Sequence, residues 1–335
     1  MVIDVFASSP WYIDHLRPVW LALPPEQRGR FYVSQRSIEN AGGLPGVTLA
    51  RPTTGPRNPI LVVSFGDYRA ARMGGRTMVA LGQHGAGQSY SNDHPAYPGG
   101  RGQGDVSLFL VPNETAAART RAAYPKARVE IIGCPKLDTL PTKERGEPPV
   151  IAFSFHWDSK SIAPETWSAW SHYQRAIALL SPDRRLIGHA HPREMFKLAN
   201  WYRRTHVEVV SSFDEVCRRA DIYACDNSSS MFEFASTGRP VIVLNQPGYR
   251  RNVEHGLRFW TAAGVGVNVE QPGDLAAAVD RAAEDPPEAR AAREAALRIV
   301  YQPLRGGAAL AASVLLDWAG TSEREPRVRR ERRIR

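Results

Sequence analysis

The sequence predicts an α/β protein of two doubly wound, Rossmann-like domains facing a cleft. Three observations carry this. Short, evenly apolar runs alternate with helical stretches along most of the chain, the pattern of strands buried on both faces and joined by helices. At 335 residues the chain exceeds a single domain of roughly 100–200 residues. A charged, proline-rich stretch, Leu140-Pro-Thr-Lys-Glu-Arg-Gly-Glu-Pro-Pro149, interrupts the alternation before it restarts, and that is linker composition.

The elements follow in order. Val2–Phe6 reads as a strand and Trp11–Leu23 as a helix. Arg30–Ser34, Ile60–Phe65, Thr77–Leu81 and Leu108–Val111 read as strands. Asn113–Tyr124 is helical with Asn113 as its cap, because Asn accepts from the orphan N–H groups of a first turn. Val129–Ile132 closes the first set. Beyond the linker come strand Val150–Phe155, helix Pro164–Leu180, strand Arg185–Gly188 and helix Glu194–Arg204. Strand Val207–Val210, helix Phe213–Arg219, strand Asp221–Cys225, helix Ser229–Thr237 and strand Pro240–Leu244 complete the second set. From Asp274 the chain is Ala-rich and helical, and the last helix, Gly307–Trp318, is placed to pack back on the first half. The expected domains are 1–140 on the acceptor side, a linker at 141–149, a nucleotide-donor domain at 150–305, a return helix at 306–320 and a basic tail at 321–335.

Composition excludes several classes. The hydrophobic fraction is 43% and the charged fraction 23%, ordinary for a globular chain. No apolar run approaches the roughly 18–20 residues that span a bilayer, and Met1–Pro10 lacks the pattern of a secretory signal. The three cysteines, Cys134, Cys217 and Cys225, form no Cys-x-x-Cys, so reduced thiols in a cytoplasmic protein are expected, with Cys225 in the core. Residues 321–335 hold seven Arg and three Glu, +4 of a total of +9. This tail reads either as a solvated, flexible end or as a clamp on a polyanion: nucleic acid, an anionic polymer or a membrane surface.

Ligands of doubly wound sheets bind at the carboxyl ends of strands, so residues just after strands are the candidates. His84, in Gly82-Gln-His84-Gly-Ala-Gly87, is placed to be a general base or to hold its loop. His191 and Arg193, in His189-Ala-His191-Pro-Arg193, suit anionic oxygens; no third ligand stands nearby, which disfavours a metal. Asp226-Asn227-Ser228-Ser229 opens a helix, where N–H groups and hydroxyls can cradle phosphate or simply cap. Glu233, a turn further on, is a candidate for ribose hydroxyls. His156 follows the first strand of the second set and could point into the cleft. Tyr249 and Arg250 lie in a long polar loop that could cover a ligand, and Tyr249 could equally be structural. P-loop, Gly-x-Gly-x-x-Gly and Gly-x-Ser-x-Gly motifs are absent from the sequence, against P-loop ATPases, simple NAD enzymes and serine hydrolases.

These pieces resemble the CDP-glycerol glycerophosphotransferase family, whose GT-B fold is distantly shared with UDP-N-acetylglucosamine 2-epimerases and GT-B glycosyltransferases. His84-Gly85-Ala86 looks like its His-Gly-Thr, and Gly133-Cys-Pro135-Lys136-Leu-Asp138 like its Gly-Tyr-Pro-Arg-x-Asp. His191-Pro192-Arg193 matches its His-Pro-Arg. Cys225-Asp226-Asn227-Ser228-Ser229, then Glu233 and Gly238-Arg239-Pro240, follow its Thr-Asp-Tyr-Ser-Ser segment. Tyr249-Arg250 and His255-Gly256 lie in similar order. Ala86, Asn227 and His255 depart from the family's Thr, Tyr and Arg, which leaves donor and acceptor open. The resemblance implies a transferase without cofactor or metal, moving glycerol phosphate or a sugar from a nucleoside-diphosphate donor to a hydroxyl. Alternatives are a phage-type DNA glycosyltransferase acting on hydroxymethylated bases, contacting DNA through the tail, a nucleotide-sugar epimerase, and a non-catalytic nucleic-acid-binding protein.

Overall fold

In the computed structural model, residues 1–34, 47–49, 58–64, 67, 77–81, 85–86, 106–158, 164–249 and 264–322 are described. Two parallel sheets organise them. The first contains β1 (Ile3–Ala7), β2 (Arg28–Val33), β3 (Val47–Leu49), β4 (Ile60–Ser64), β5 (Thr77–Leu81), β6 (Val106–Val111) and β7 (Arg128–Ile131), in the order β3-β2-β1-β4-β5-β6-β7. The second contains β8 (Val150–Phe155), β9 (Arg185–Ala190), β10 (Glu208–Val209), β11 (Ile222–Cys225), β12 (Val241–Leu244) and β13 (Val267–Val269), in the order β10-β9-β8-β11-β12-β13. Strands such as IDVFA, ILVVS and VIAFSF are buried at every position, because helices cover both faces of a parallel sheet. The strand order reverses between β1 and β4 and between β8 and β11, and the crevice at such a reversal is where these sheets bind ligands.

The described helices are α1 (Pro10–Ala22), α2 (Glu114–Ala123), α3 (Trp170–Leu180), α4 (Met195–Arg204), α5 (Phe213–Arg219), α6 (Ser230–Ala235), α7 (Leu275–Glu284), α8 (Pro287–Val300) and α9 (Gly307–Ser322). Asn113 caps α2 as expected, its Oδ1 accepting the Ala116 N–H at 2.9 Å. The last helix returns to the first sheet, where Ala311, Leu315 and Trp318 join one core with Ile3, Leu16 and Val19. Asp138 fixes that return. Its carboxylate accepts the Gly306 and Ala308 N–H groups at 2.8 Å each and so satisfies donors that a helix start leaves unpaired. A second apolar cluster joins the two halves: Ala86, Cys134 and Leu137 pack with Phe232, Ala235, Val300 and Tyr301.

Several elements differ from the sequence reading. The expected helix Pro164–Leu180 is a 3-10 turn, Pro164–Thr166, followed by α3. The backbone between them is committed elsewhere: the Trp167 carbonyl accepts from Tyr249 at 2.7 Å, and the Ala169 N–H donates to Asp226 at 2.8 Å. Strand β9 runs on to Ala190, pairing with β8 as far as Phe155, so His189 lies within the strand. The helix expected at Ser229–Thr237 is only Ser230–Ala235. The edge strands β3 and β13 and the register of their pairing were not anticipated. Residues 323–335, most of the basic tail, lie outside the described residues. No helix among the described residues is long and apolar enough to cross a membrane.

Candidate active site

The carboxyl ends of β9, β8 and β11, adjacent in the second sheet, deliver most of the predicted residues to one crevice. His191 and Arg193 follow β9, His156 follows β8, and Asp226 to Ser229 follow β11. The His156 and His191 rings lie 5.4 Å apart. Trp157 stands 6.3 Å from His191, and the Arg193 guanidinium lies over the Trp157 ring at 4.7 Å. A cation over an aromatic face is held without an anionic partner, so Arg193 keeps its donors directed by geometry while staying exposed.

Asp226 braces this arrangement. One carboxylate oxygen accepts the His156 backbone N–H at 2.8 Å, and the other accepts the Ala169 backbone N–H at 2.8 Å and the Ser168 hydroxyl at 3.4 Å. Asn227 beside it is buried. Ser228 receives the Ser230 hydroxyl at 2.7 Å, and Ser230 in turn meets the Tyr223 hydroxyl at 2.8 Å. Ser229 is the residue at the cap of α6 but makes no side-chain capping bond. Its hydroxyl instead donates to Glu233 at 3.4 Å. Tyr249 is buried and its hydroxyl donates to the Trp167 carbonyl at 2.7 Å. His84 and Arg250 lie outside the described residues.

The first sheet reaches this crevice at two points. Gly85, one residue after His84, has φ +77°, and a Cβ there would come within 2.5 Å of the Ser229 hydroxyl and 3.4 Å of a Glu233 oxygen. Only glycine allows that backbone such an approach. Trp11, at the start of α1, places its ring 6.1 Å from that of His191. Sequence reasoning missed Trp11, although it too stands just after a strand.

It also missed Lys136. This buried side chain, on the turn after β7, lies 2.7 Å from the Glu233 carboxylate and 4.0 Å from Asp14. Burial opposes its charge, but the Glu233 and Asp14 carboxylates outweigh burial and hold it above the usual lysine range. Glu233 therefore has one oxygen on Lys136 and the other toward Ser229. His189 points inward to Ser154 at 2.8 Å; burial, then the Lys136 charge, push its pKa down to about 4. A neutral, enclosed histidine of this kind supports the strand and is not exposed to ligand.

A surface pocket lined by Pro148, Pro149, Pro182 and Arg184 lies at the opposite, amino ends of β8 and β9, away from these groups. Among the described residues no cluster of three or more His, Cys, Asp or Glu is arranged to hold a metal.

Three comparisons bear on this arrangement. The structure is similar to that of the wall teichoic acid polymerase TagF from a crystal soaked with CDPG, with TM-score 0.65 at 13% identity, covering 96% of this chain and 90% of that one. It is similar to a UDP-GlcNAc 2-epimerase from Neisseria meningitidis bound to UDP-GlcNAc, with TM-score 0.56 at 12% identity, covering 96% and 99%. At such identities the likeness establishes the GT-B-like fold alone. No curated protein matches the sequence. The model of the family described as CDP-Glycerol:Poly(glycerophosphate) glycerophosphotransferase matches residues 100–309. That stretch runs from the last strands of the first sheet through the second sheet and its strand-end residues into α9, and the chain belongs to this family.

Proposed function

We propose that the protein transfers glycerol phosphate from a nucleoside-diphosphate donor to an acceptor hydroxyl. The observation that carries this is the placement of His191 and Arg193 after β9 and of Ser228 and Ser229 after β11, at the same end of one sheet, with Ser229 directly against Gly85 of the first half. In this reading Ser228 and Ser229 receive donor phosphate oxygens. His191 and Arg193 meet the charge that grows on the leaving phosphate. The Glu233 oxygen not paired with Lys136 accepts from ribose. His84 takes the proton of the acceptor hydroxyl. The family membership favours glycerol phosphate over a sugar as the group moved.

The test is thermal stability of the protein against CDP, UDP, GDP, CDP-glycerol and UDP-sugars. A ligand at about 100 times its Kd adds roughly 2.7 kcal/mol, enough to move Tm by several degrees. Stabilisation by CDP species is expected. Selective stabilisation by UDP or GDP species turns the reading to sugar transfer, or to epimerisation if turnover needs no acceptor. No response to any of them overturns it. With a binding donor in hand, His84→Ala should abolish transfer and leave nucleotide binding intact.

A further inference from the structure

The nucleotide reading fills the strand ends of the second sheet and assigns nothing to α1 of the first. The first sheet reverses between β1 and β4, and α1 opens beside that reversal, shortly after β1. Ligands of such sheets bind there. Trp11 and Asp14 stand three positions apart near the start of α1, so their side chains are neighbours on one face of the helix. The half-buried Trp11 ring lies 6.1 Å from that of His191 in the second half. The Asp14 carboxylate lies 4.0 Å from Lys136, which pairs with Glu233 at 2.7 Å. The other Glu233 oxygen is 3.4 Å from the place of a Gly85 Cβ, and Gly85 follows the proposed base, His84, in the sequence. This face of α1 therefore runs from the phosphate residue His191 toward the groups that adjoin the base.

We propose that Trp11 and Asp14 bind the acceptor: a polyol lies along the Trp11 indole and donates the hydroxyl next to its attacking one to the Asp14 carboxylate. The Asp14 side chain is 47% exposed, so a ligand reaches it. Among the described residues its carboxylate accepts no hydrogen bond, Lys136 at 4.0 Å being too distant to donate one. Partial burial outweighs the Lys136 charge and holds the Asp14 pKa above its ordinary value; Asp214 and Glu233 add to the rise and Arg17 opposes it. A carboxylate so placed lacks donors and gains from an O–H that supplies one. The three carboxylates outnumber the two cations, so this wall turns away an anionic group. The two halves thus divide the substrates by charge: His191 and Arg193 suit phosphate, and α1 suits neutral hydroxyls. The indole adds an apolar face for the carbon chain between those hydroxyls. A glycerol-ended chain and a sugar ring share this chemistry.

This inference rests on the transfer reading above, and the experiment separates their failures. Release of CMP from CDP-glycerol is followed with glycerophosphoglycerol and with methyl glucoside as acceptors. Each is compared with an analogue lacking the hydroxyl next to the attacking one. Asp14→Asn should lower kcat/KM for the acceptor by about 10- to 100-fold, the loss of a hydrogen bond to a charged group. Trp11→Leu should raise the acceptor KM, and the donor KM should stay unchanged in both variants. The deoxy analogue should be poor for the wild type but no poorer than the full acceptor for Asp14→Asn, a pattern that a merely structural role would not produce. The acceptor that shows it identifies a chain end or a sugar ring. Leu21→Ala, exposed further along α1, should leave the acceptor KM at its wild-type value. A rise in donor KM in place of acceptor KM, or a deoxy penalty as large in Asp14→Asn as in wild type, overturns the inference and leaves transfer standing. So does CDP-glycerol that binds but is turned over no faster with either polyol. CDP-glycerol that does not bind removes the transfer reading and this inference together.

Discussion

The Lys136 ammonium and the Glu233 carboxylate meet at 2.7 Å inside the protein, one from the turn that ends the first sheet and the other from α6 of the second. Both are almost wholly enclosed. Removing one partner from such a pair leaves an unpaired buried charge, typically worth 3–5 kcal/mol. Lys136→Met should therefore lower unfolding stability by about 3–5 kcal/mol in urea titrations, and Lys136→Met with Glu233→Gln should recover part of it. The raised Lys136 pKa has its own sign. The pair's contribution is fully present below the unfolded lysine value and is lost as pH rises through the folded one. Strictly additive single losses would show that the two groups do not brace each other.

His189 sets the acid limb. Its folded pKa is about 4, against an ordinary value near 6.5. Between those values the unfolded chain binds a proton that the folded one refuses, so stability rises with pH across this window and is flat above it. The contribution is about 3 kcal/mol over the whole window. His189→Asn should flatten the stability profile between pH 4 and 6.5, read by denaturation at a series of pH values. An unchanged slope would mean that other groups govern acid unfolding.

Gly85 should tolerate no side chain. Alanine there meets both a positive φ and the Ser229 hydroxyl at 2.5 Å. The strain and overlap together cost about 1–3 kcal/mol. Adding Ser229→Gly removes the overlap and leaves the backbone strain, so the double variant should be more stable than Gly85→Ala alone. The comparison is made in urea unfolding; a double variant no better than the single would place the cost in φ alone.

Asn113 does more than cap its helix. Its amide nitrogen donates to the Ala86 and Val300 carbonyls at 2.8 Å each, while its oxygen caps α2. Serine preserves the cap and loses both donations. Asn113→Ser should cost about 1–3 kcal/mol for two buried carbonyls left unpaired. Asn113→Asp caps equally well but sets a charge against those carbonyls, and should be worse still. If aspartate equals asparagine in thermal unfolding, the bridging bonds carry no weight.

What could be read from the sequence was local. IDVFA and VIAFSF are strands because their apolar runs are short and unbroken, and Asn113 is a cap because it precedes an Ala-rich segment. Doubly wound topology then told us that His156, His191 and Ser228 sit at strand ends, and the structure gathers them at neighbouring ends of one sheet. The unreadable part was long-range. Lys136 and Glu233 belong to different halves and announce nothing in their own windows. Trp167 and Ala169 lie in a helix-compatible stretch, yet Tyr249 and Asp226 claim their backbone groups. The three-residue strands β3 and β13 exist only because a neighbour offers hydrogen bonds. His189 was read as beyond its strand because β9 is extended by pairing with β8, not by its own composition.

The placement of α9 has a consequence for how the protein is made. Ala311, Leu315 and Trp318 form a wall of the core that also contains Ile3, Leu16 and Val19, so the first sheet is sheltered by residues translated long after it. While the nascent chain is still on the ribosome, the first sheet lacks that wall and shows apolar surface to solvent and to chaperones. The second sheet closes one face on its own core of Ile151, Phe153, Tyr173, Ile222 and Leu275 once α7 has emerged, and its other face waits for Leu297 and Val300 of α8. The second half therefore has its own helices in place before α9 arrives to close the core of the first.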